Sequence, residues 1–106
     1  MKMKKWTYDP QADAAYAYGH ATKIHQTICV SSYINVDVSI RGRVVGIEIL
    51  NAKEILSNAL GKKLSNAQLK KMRYSIEEKR GIYLRIACEG SQASLVFPSH
   101  EMRLTR

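Results

Sequence analysis

Proline and cysteine are scarce in this chain, with two of each, alongside one tryptophan, one phenylalanine and no apolar run near the roughly 20 residues that cross a bilayer. Two cysteines, Cys29 and Cys88, are too few for a disulfide framework and lack metal-ligand spacing. Both lie in apolar strand-like runs, which predicts small buried hydrophobes. His20, His25 and His100 form no i, i+4 pair and have no matching carboxylate nearby in sequence. They are expected as solvated strand-edge residues rather than ligands or catalytic bases. No Gly-x-Ser-x-Gly elbow or Ser-x-x-Lys motif accompanies the serines. Gly42-Arg-Val-Val-Gly46 is no phosphate loop, because Gly46 falls inside a strand pattern, where it signals a bulge or the close approach of another backbone. No enzymatic activity, cofactor or metal is expected. Met1-Lys-Met-Lys-Lys5 runs into a polar, Asp-containing segment rather than an apolar h-region, which predicts a soluble, cytoplasmic protein.

Acidic residues are also in deficit, nine against 17 Lys and Arg, for a net charge of +8. The excess is concentrated: residues 51–80 carry eight basic and three acidic groups, whereas residues 1–50 carry six and four. At 106 residues, 45% apolar and 25% charged, the chain is an ordinary globular composition with room for one domain.

What is present is alternation. Val45, Ile47 and Ile49 recur with period two and share a strand face, and Asn51 with Glu54 three residues on reads as an N-cap and capping box. The following helix, about 51–60, presents Ala52, Ile55, Leu56, Ala59 and Leu60 as one stripe and stops at Gly61. One apolar face on the strand and one on the helix predict that they pack together. Earlier, Asp9-Pro10 marks a turn or helix entry, Ala14 to Tyr18 suits a strand with Tyr16 and Tyr18 on one face, and Gly19 breaks it. Thr22 to Val30 places Ile24, Ile28 and Val30 on one side. Tyr33 to Ile40 alternates most cleanly, with Ile34, Val36, Val38 and Ile40 inward, and Arg41-Gly42 reads as a two-residue hairpin connection. Glu48 is expected on the outer face near Arg43 and beside Asp37, in a solvated cross-strand ion pair.

Farther along, Ser65 with Gln68 forms a second capping box and Leu64 with Leu69 a hydrophobic staple, opening a helix at 65. Leu69, Met72 and Ile76 keep helical spacing, while Met72, Tyr74 and Ile76 also alternate as in a strand; helix to 74 or beyond is the favoured reading. Gly81 to Cys88 and Ala93 to Phe97, joined through Glu89 to Gln92, predict a hairpin, and the tail 99–106 is expected to be loose.

Tyr8-Asp-Pro-Gln-Ala-Asp-Ala14, Val36-Asp-Val and Gly42-Arg-Val-Val-Gly-Ile-Glu-Ile-Leu-Asn-Ala52 resemble the small prokaryotic family catalogued as domain of unknown function 2283. The likeness covers about residues 6–56. It implies a β meander crossed by a helix and no established activity, with a partner of small toxin-like proteins as the role it suggests. Ala15 and Ala17 replace the family's Leu and Ile, leaving volume for Trp6, Tyr8 or the carboxy-terminal hairpin to fill.

The expected fold is therefore α+β in a single domain: an antiparallel meander of about four strands plus a C-terminal hairpin, with two helices packed on one face. Residues 6–56 form the family-like core and 57–98 the extension. Function is expected to be non-enzymatic protein binding, antitoxin-like or accessory, through an acidic partner or through homodimer formation at an open sheet edge. The alternative is nucleic-acid contact by a basic helix stripe of Lys62, Lys63, Lys70, Lys71 and Arg73, continued by Lys79 and Arg80.

Overall fold

Each alternating run becomes a strand in the computed structural model, which describes residues 3–98. The strands are β1 Lys4–Lys5, β2 Thr7–Asp9, β3 Ala14–Tyr18, β4 Gln26–Cys29, β5 Ile34–Val38, β6 Val44–Leu50, β7 Arg73–Glu78, β8 Gly81–Cys88 and β9 Ser91–Pro98. Two short helices, α1 Ala52–Leu60 and α2 Asn66–Lys71, lie between β6 and β7. All pairings are antiparallel, in a five-stranded sheet of order β2-β3-β6-β5-β4 and a four-stranded sheet of order β1-β7-β8-β9.

That order corrects the expected meander. β4, β5 and β6 are sequential hairpin neighbours, but β3 pairs with β6, Ala14 opposite Leu50 and Tyr18 opposite Gly46, which is Greek-key connectivity. Gly19 explains the choice. Its N–H donates to Val45 O at 2.8 Å, prolonging the β3–β6 ladder, and a Cβ there would lie 2.4 Å from the Val44 carbonyl oxygen. Residues 20–24 then cross the end of the sheet, and His25 N–H rejoins it at Val38 O. The expected strand from Thr22 accordingly starts only at Gln26, and Ile24 is left about half exposed.

The β5–β6 hairpin forms, with a longer turn than Arg41-Gly42 alone. Gly42 N–H donates to Ser39 O, Ser39 N–H to Arg43 O, and Gly42 takes φ 79°. Ile40 thus sits at the turn tip, 79% exposed rather than inward. Pairing steps from Asp37–Gly46 to Val38–Val44, leaving Val45 the extra residue of a bulge. Val44 rather than Val45 therefore enters the core beside Ile47 and Ile49.

Asn51 does not cap α1. It adopts φ 51°, and its side-chain N–H donates to Glu54 at 2.8 Å instead of accepting from the helix. The cap comes from 38 positions earlier by number: Asp13 O accepts from Ala52 N–H at 3.0 Å, and the Asp13 carboxylate accepts from Lys53 N–H at 2.9 Å. The α1 C-terminus closes as expected on left-handed Gly61, with Lys62 N–H donating to Ser57 O. α1 lies against β9 and α2 against β2, so the helices do not share one face of a meander.

α2 opens on the complete Ser65–Gln68 capping box, with Leu64 and Leu69 buried, but ends at Lys71. The helical reading of 72–80 is overturned: Met72 is extended and 73–78 form β7. A helix would have left Tyr74 off the Leu69–Met72–Ile76 stripe. As a strand residue Tyr74 is 1% exposed, faces Ile86 across β8 and stacks on Trp6 at 6.1 Å. The Trp6 indole N–H donates to Leu69 O at 2.8 Å, meeting a carbonyl at the end of α2. The second hairpin is tighter than expected. Glu89 and Gly90, at φ 48° and 85°, make a two-residue turn, and β9 starts at Ser91.

Both sheets and both helices contribute to one core, from Ala15, Val36 and Ile47 to Leu56, Leu69, Leu84 and Phe97. Trp6 and Tyr8 are buried in it, Tyr8 directly opposite Ala15. Cys88 is buried as expected. Cys29 is exposed, because the alternation that turns Ile28 inward turns its neighbour out. The expected loose tail and His100 lie outside the described residues. Among the described residues no helix is long and apolar enough to cross a membrane.

Candidate interaction surfaces

The outer face of the five-stranded sheet is ordered by a glycine. Tyr16 stands opposite Glu48 and leans over Gly46, where an added Cβ would lie 2.0 Å from the phenol oxygen. The space lets Tyr16 O–H donate to Asp37 at 2.6 Å, and Thr27 Oγ1 donates to the other Asp37 oxygen at 2.5 Å. Burial, then this bond to Asp37, drives the Tyr16 phenol well above its ordinary pKa. Glu48 accepts from Asn35 at 3.0 Å, so the expected Glu48–Arg43 pair does not form. Gly46 was recognisable as a close-approach site, but its occupant is a tyrosine side chain rather than backbone.

Arg43 instead joins His20 and Glu78, which the sequence had kept apart. Arg43 Nε lies 3.5 Å from Glu78 Oε1, and its Nη2 lies 2.6 Å from His20 Nε2, itself 3.0 Å from Glu78 Oε2. His20 Nε2 either accepts from Arg43 or donates to Glu78, so the ring takes one partner at a time. Glu78 Oε1 also accepts from Val44 N–H at 3.1 Å, tying β7 of one sheet to β6 of the other. His25 is exposed, and among the described residues no three His, Cys, Asp or Glu side chains converge as metal ligands would.

Beside this cluster runs an open groove of about 780 Å³, lined by Tyr16, Tyr18, Val45, Ile24, Lys23 and the crossover from Gly19. Sequence reasoning paired Tyr16 with Tyr18 correctly, and they meet edge-on at 4.8 Å. It missed Val45 and Ile24, both assigned inward, because neither the bulge nor the crossover interrupts the apolar pattern.

The basic residues do not form one helical stripe. Lys62 and Lys63 precede α2, and Lys62 Nζ donates to Cys88 O at 3.1 Å. Lys70 and Lys71 end α2 and Arg73 opens β7, whose pairing with β1 sets Lys5 opposite Arg73. Lys79 and Arg80 occupy the turn at the far end of β7, where Lys79 pairs with Glu77 at 3.2 Å. Hydrogen bonding to Lys79, helped by Arg85, holds the Glu77 carboxyl below its usual range. The seven cations are thus divided by the six residues of β7, roughly 20 Å.

Four strands form the sheet edges. β1 is two lysines, β2 is three residues ending in Asp9, β4 is four residues, and β9 is eight residues without a charge. Among the described residues, no hydrogen bond from outside β8 reaches β9.

Residues 5–53 match the family model described as Protein of unknown function (DUF2283). This stretch belongs to that family. The DUF2283 segment contains the whole five-stranded sheet and stops at Lys53, the last amide held by Asp13. Its opening motif is a structural lock: the Asp9 carboxylate accepts from Gln11 N–H, Tyr8 O–H donates to Asp13 at 2.8 Å, and Asp13 caps α1. Burial, then the contact with Asp13, pushes the Tyr8 phenol up to about 12. β7, β8 and β9 lie beyond the DUF2283 segment. Comparison with curated proteins and with solved structures returned no match for the chain.

Proposed function

We propose that the protein is a small, non-enzymatic, cytoplasmic protein-binding module that forms a homodimer by strand pairing along β9. The observation that carries this reading is the character of that edge. Natural sheets protect exposed edges with charge, proline, bulges or brevity. β1, β2 and β4 each have brevity or charge, whereas β9 has eight residues, no Lys, Arg, Asp or Glu, and a proline only at its last position, Pro98. Its apolar residues are incompletely covered, with Ala93 and Leu95 half-buried and Val96 52% exposed. Antiparallel pairing of two identical strands is two-fold symmetric and consumes both edges, so assembly stops at two copies. It also brings together the one long edge on which two chains of net charge +8 place no charged side chains against each other.

Sedimentation equilibrium tests this. The mass is expected to rise with concentration from 12.0 kDa towards twice that value. Replacing Ser94 and Val96, both exposed on β9, with lysine is expected to hold the protein monomeric with its fold retained. A wild-type monomer at all concentrations overturns the reading.

A second reading rests on a separate observation. Lys5, Lys70, Lys71 and Arg73 gather at the β1–β7 end, and none pairs with a carboxylate among the described residues. Such a cluster suits nucleic-acid phosphates. Binding to generic DNA or RNA that falls steeply with added salt supports it, and no association at low salt removes it.

A further inference from the structure

The bulge at Val45 and the crossover through residues 20–24 create a surface that a sheet of this sequence pattern would otherwise lack. We infer that the groove between Tyr18, Val45 and Ile24 docks an acidic segment of another protein, one in which an apolar side chain is flanked by Asp or Glu. The inference rests on the protein-binding reading but not on β9, which lies in the other sheet.

The floor is apolar and unusually open. Tyr18 is 50% and Ile24 48% exposed, and Val45 lines the groove because Val44 has taken its core position. Side chains of this size clustered in one concavity mark a binding surface rather than scattered exposure. The rim is basic. Lys23 and His20 line the groove, Arg43 contacts His20, and Lys4 lines an adjoining cavity of about 230 Å³ that shares Tyr18, Gly19 and His20.

Among the described residues no carboxylate lines the groove. Glu78, in the adjoining cavity, is ion-paired with Arg43, while Asp37 and Glu48, which keep their charge under hydrogen bonds from Tyr16, Thr27 and Asn35, lie outside the lining. The Lys4 and Lys23 side chains have no hydrogen-bond or ion-pair partner among the described residues. The lining of the groove itself thus holds Lys23 and no carboxylate, so the charge it presents is positive, which sets the sign of the occupant. A single nucleic-acid strand would also satisfy the cations and stack on Tyr18, but Tyr16 meets Tyr18 edge-on and is tied to Asp37, and Ile24 and Val45 offer no aromatic face. They suit an aliphatic or aromatic side-chain anchor.

The test is selection from an unbiased peptide library against the full chain. Ile24→Asp and Lys23→Glu serve as controls, both positions being exposed and outside any strand. Enriched peptides are expected to be acidic with at least one Leu, Ile, Phe or Trp, and to lose about tenfold or more in affinity for either variant. Oligomeric state is expected to be unchanged in both variants, so failure here is distinguishable from failure of β9 pairing. No enrichment, enriched peptides that are neutral or basic, unchanged binding to Ile24→Asp, or displacement of the peptides by single-stranded DNA would each overturn the inference.

Discussion

Tyr16 reaches Asp37 only because residue 46 has no side chain, and this dependence is measurable. Gly46→Ala is expected to cost about 1–3 kcal/mol, as the ring is forced off its acceptor. In a Tyr16→Ala background the same change should be neutral or stabilising, since glycine is a poor strand residue once nothing needs the space. Chemical denaturation of the four proteins checks it, and equal costs in both backgrounds would contradict it. The buried phenols give a second prediction. A tyrosine whose folded pKa is raised favours the folded state while protonated; that contribution is complete below the ordinary value of 10.0 and is lost as pH rises through the folded value. For Tyr8 the loss falls between about pH 10 and 12. Urea midpoints should be flat with respect to these phenols up to about pH 10 and then fall, less steeply in Tyr8→Phe, with Tyr16 and Tyr74 raised in the same direction. Single residues such as these were partly legible in the sequence. Gly46 announced a bulge or a close approach, and both occur there, whereas Val45 was misplaced because an unbroken Val-Val pair does not show which valine is the extra residue.

Elements were legible where one signal sufficed and misread where two competed. Ser65, Gln68, Leu64 and Leu69 all mark the same helix start, and α2 begins there. After Leu69 the helical and alternating patterns share Met72 and Ile76, and only Tyr74 separates them. Its partner Trp6 lies 68 positions away, beyond the reach of local spacing. The start of α1 shows the same limit. Asn51 sits where a cap belongs, yet Asp13 supplies it from across the sheet. Asp13→Ala is therefore expected to destabilise the protein by about 1–2 kcal/mol, losing the cap and the Tyr8 bond together. Asn51→Gly should be neutral or stabilising, because φ 51° suits glycine better. Thermal melts of the two variants separate the assignments, and a larger loss for Asn51→Gly would return the cap to Asn51.

At the scale of the molecule, the DUF2283 segment is closed on its own cap, and the chain beyond it adds a second sheet whose last strand, among the described residues, pairs on one side only. Strand content and the terminal hairpin could be read from alternation. The β3–β6 pairing could not, since it depends on a carbonyl passing Gly19 too closely for any other residue. Eight residues of β9 extend roughly 26 Å beside a body whose longest dimension is 35 Å, so the open edge spans most of one side. Hydrogen exchange at the Ser91–Phe97 amides, followed as a function of protein concentration, examines that edge most directly. The account predicts that β9 amides pointing away from β8 become protected as concentration rises, with β4 unaffected. Exchange at β9 that is independent of concentration, or protection appearing at β4 instead, would contradict it.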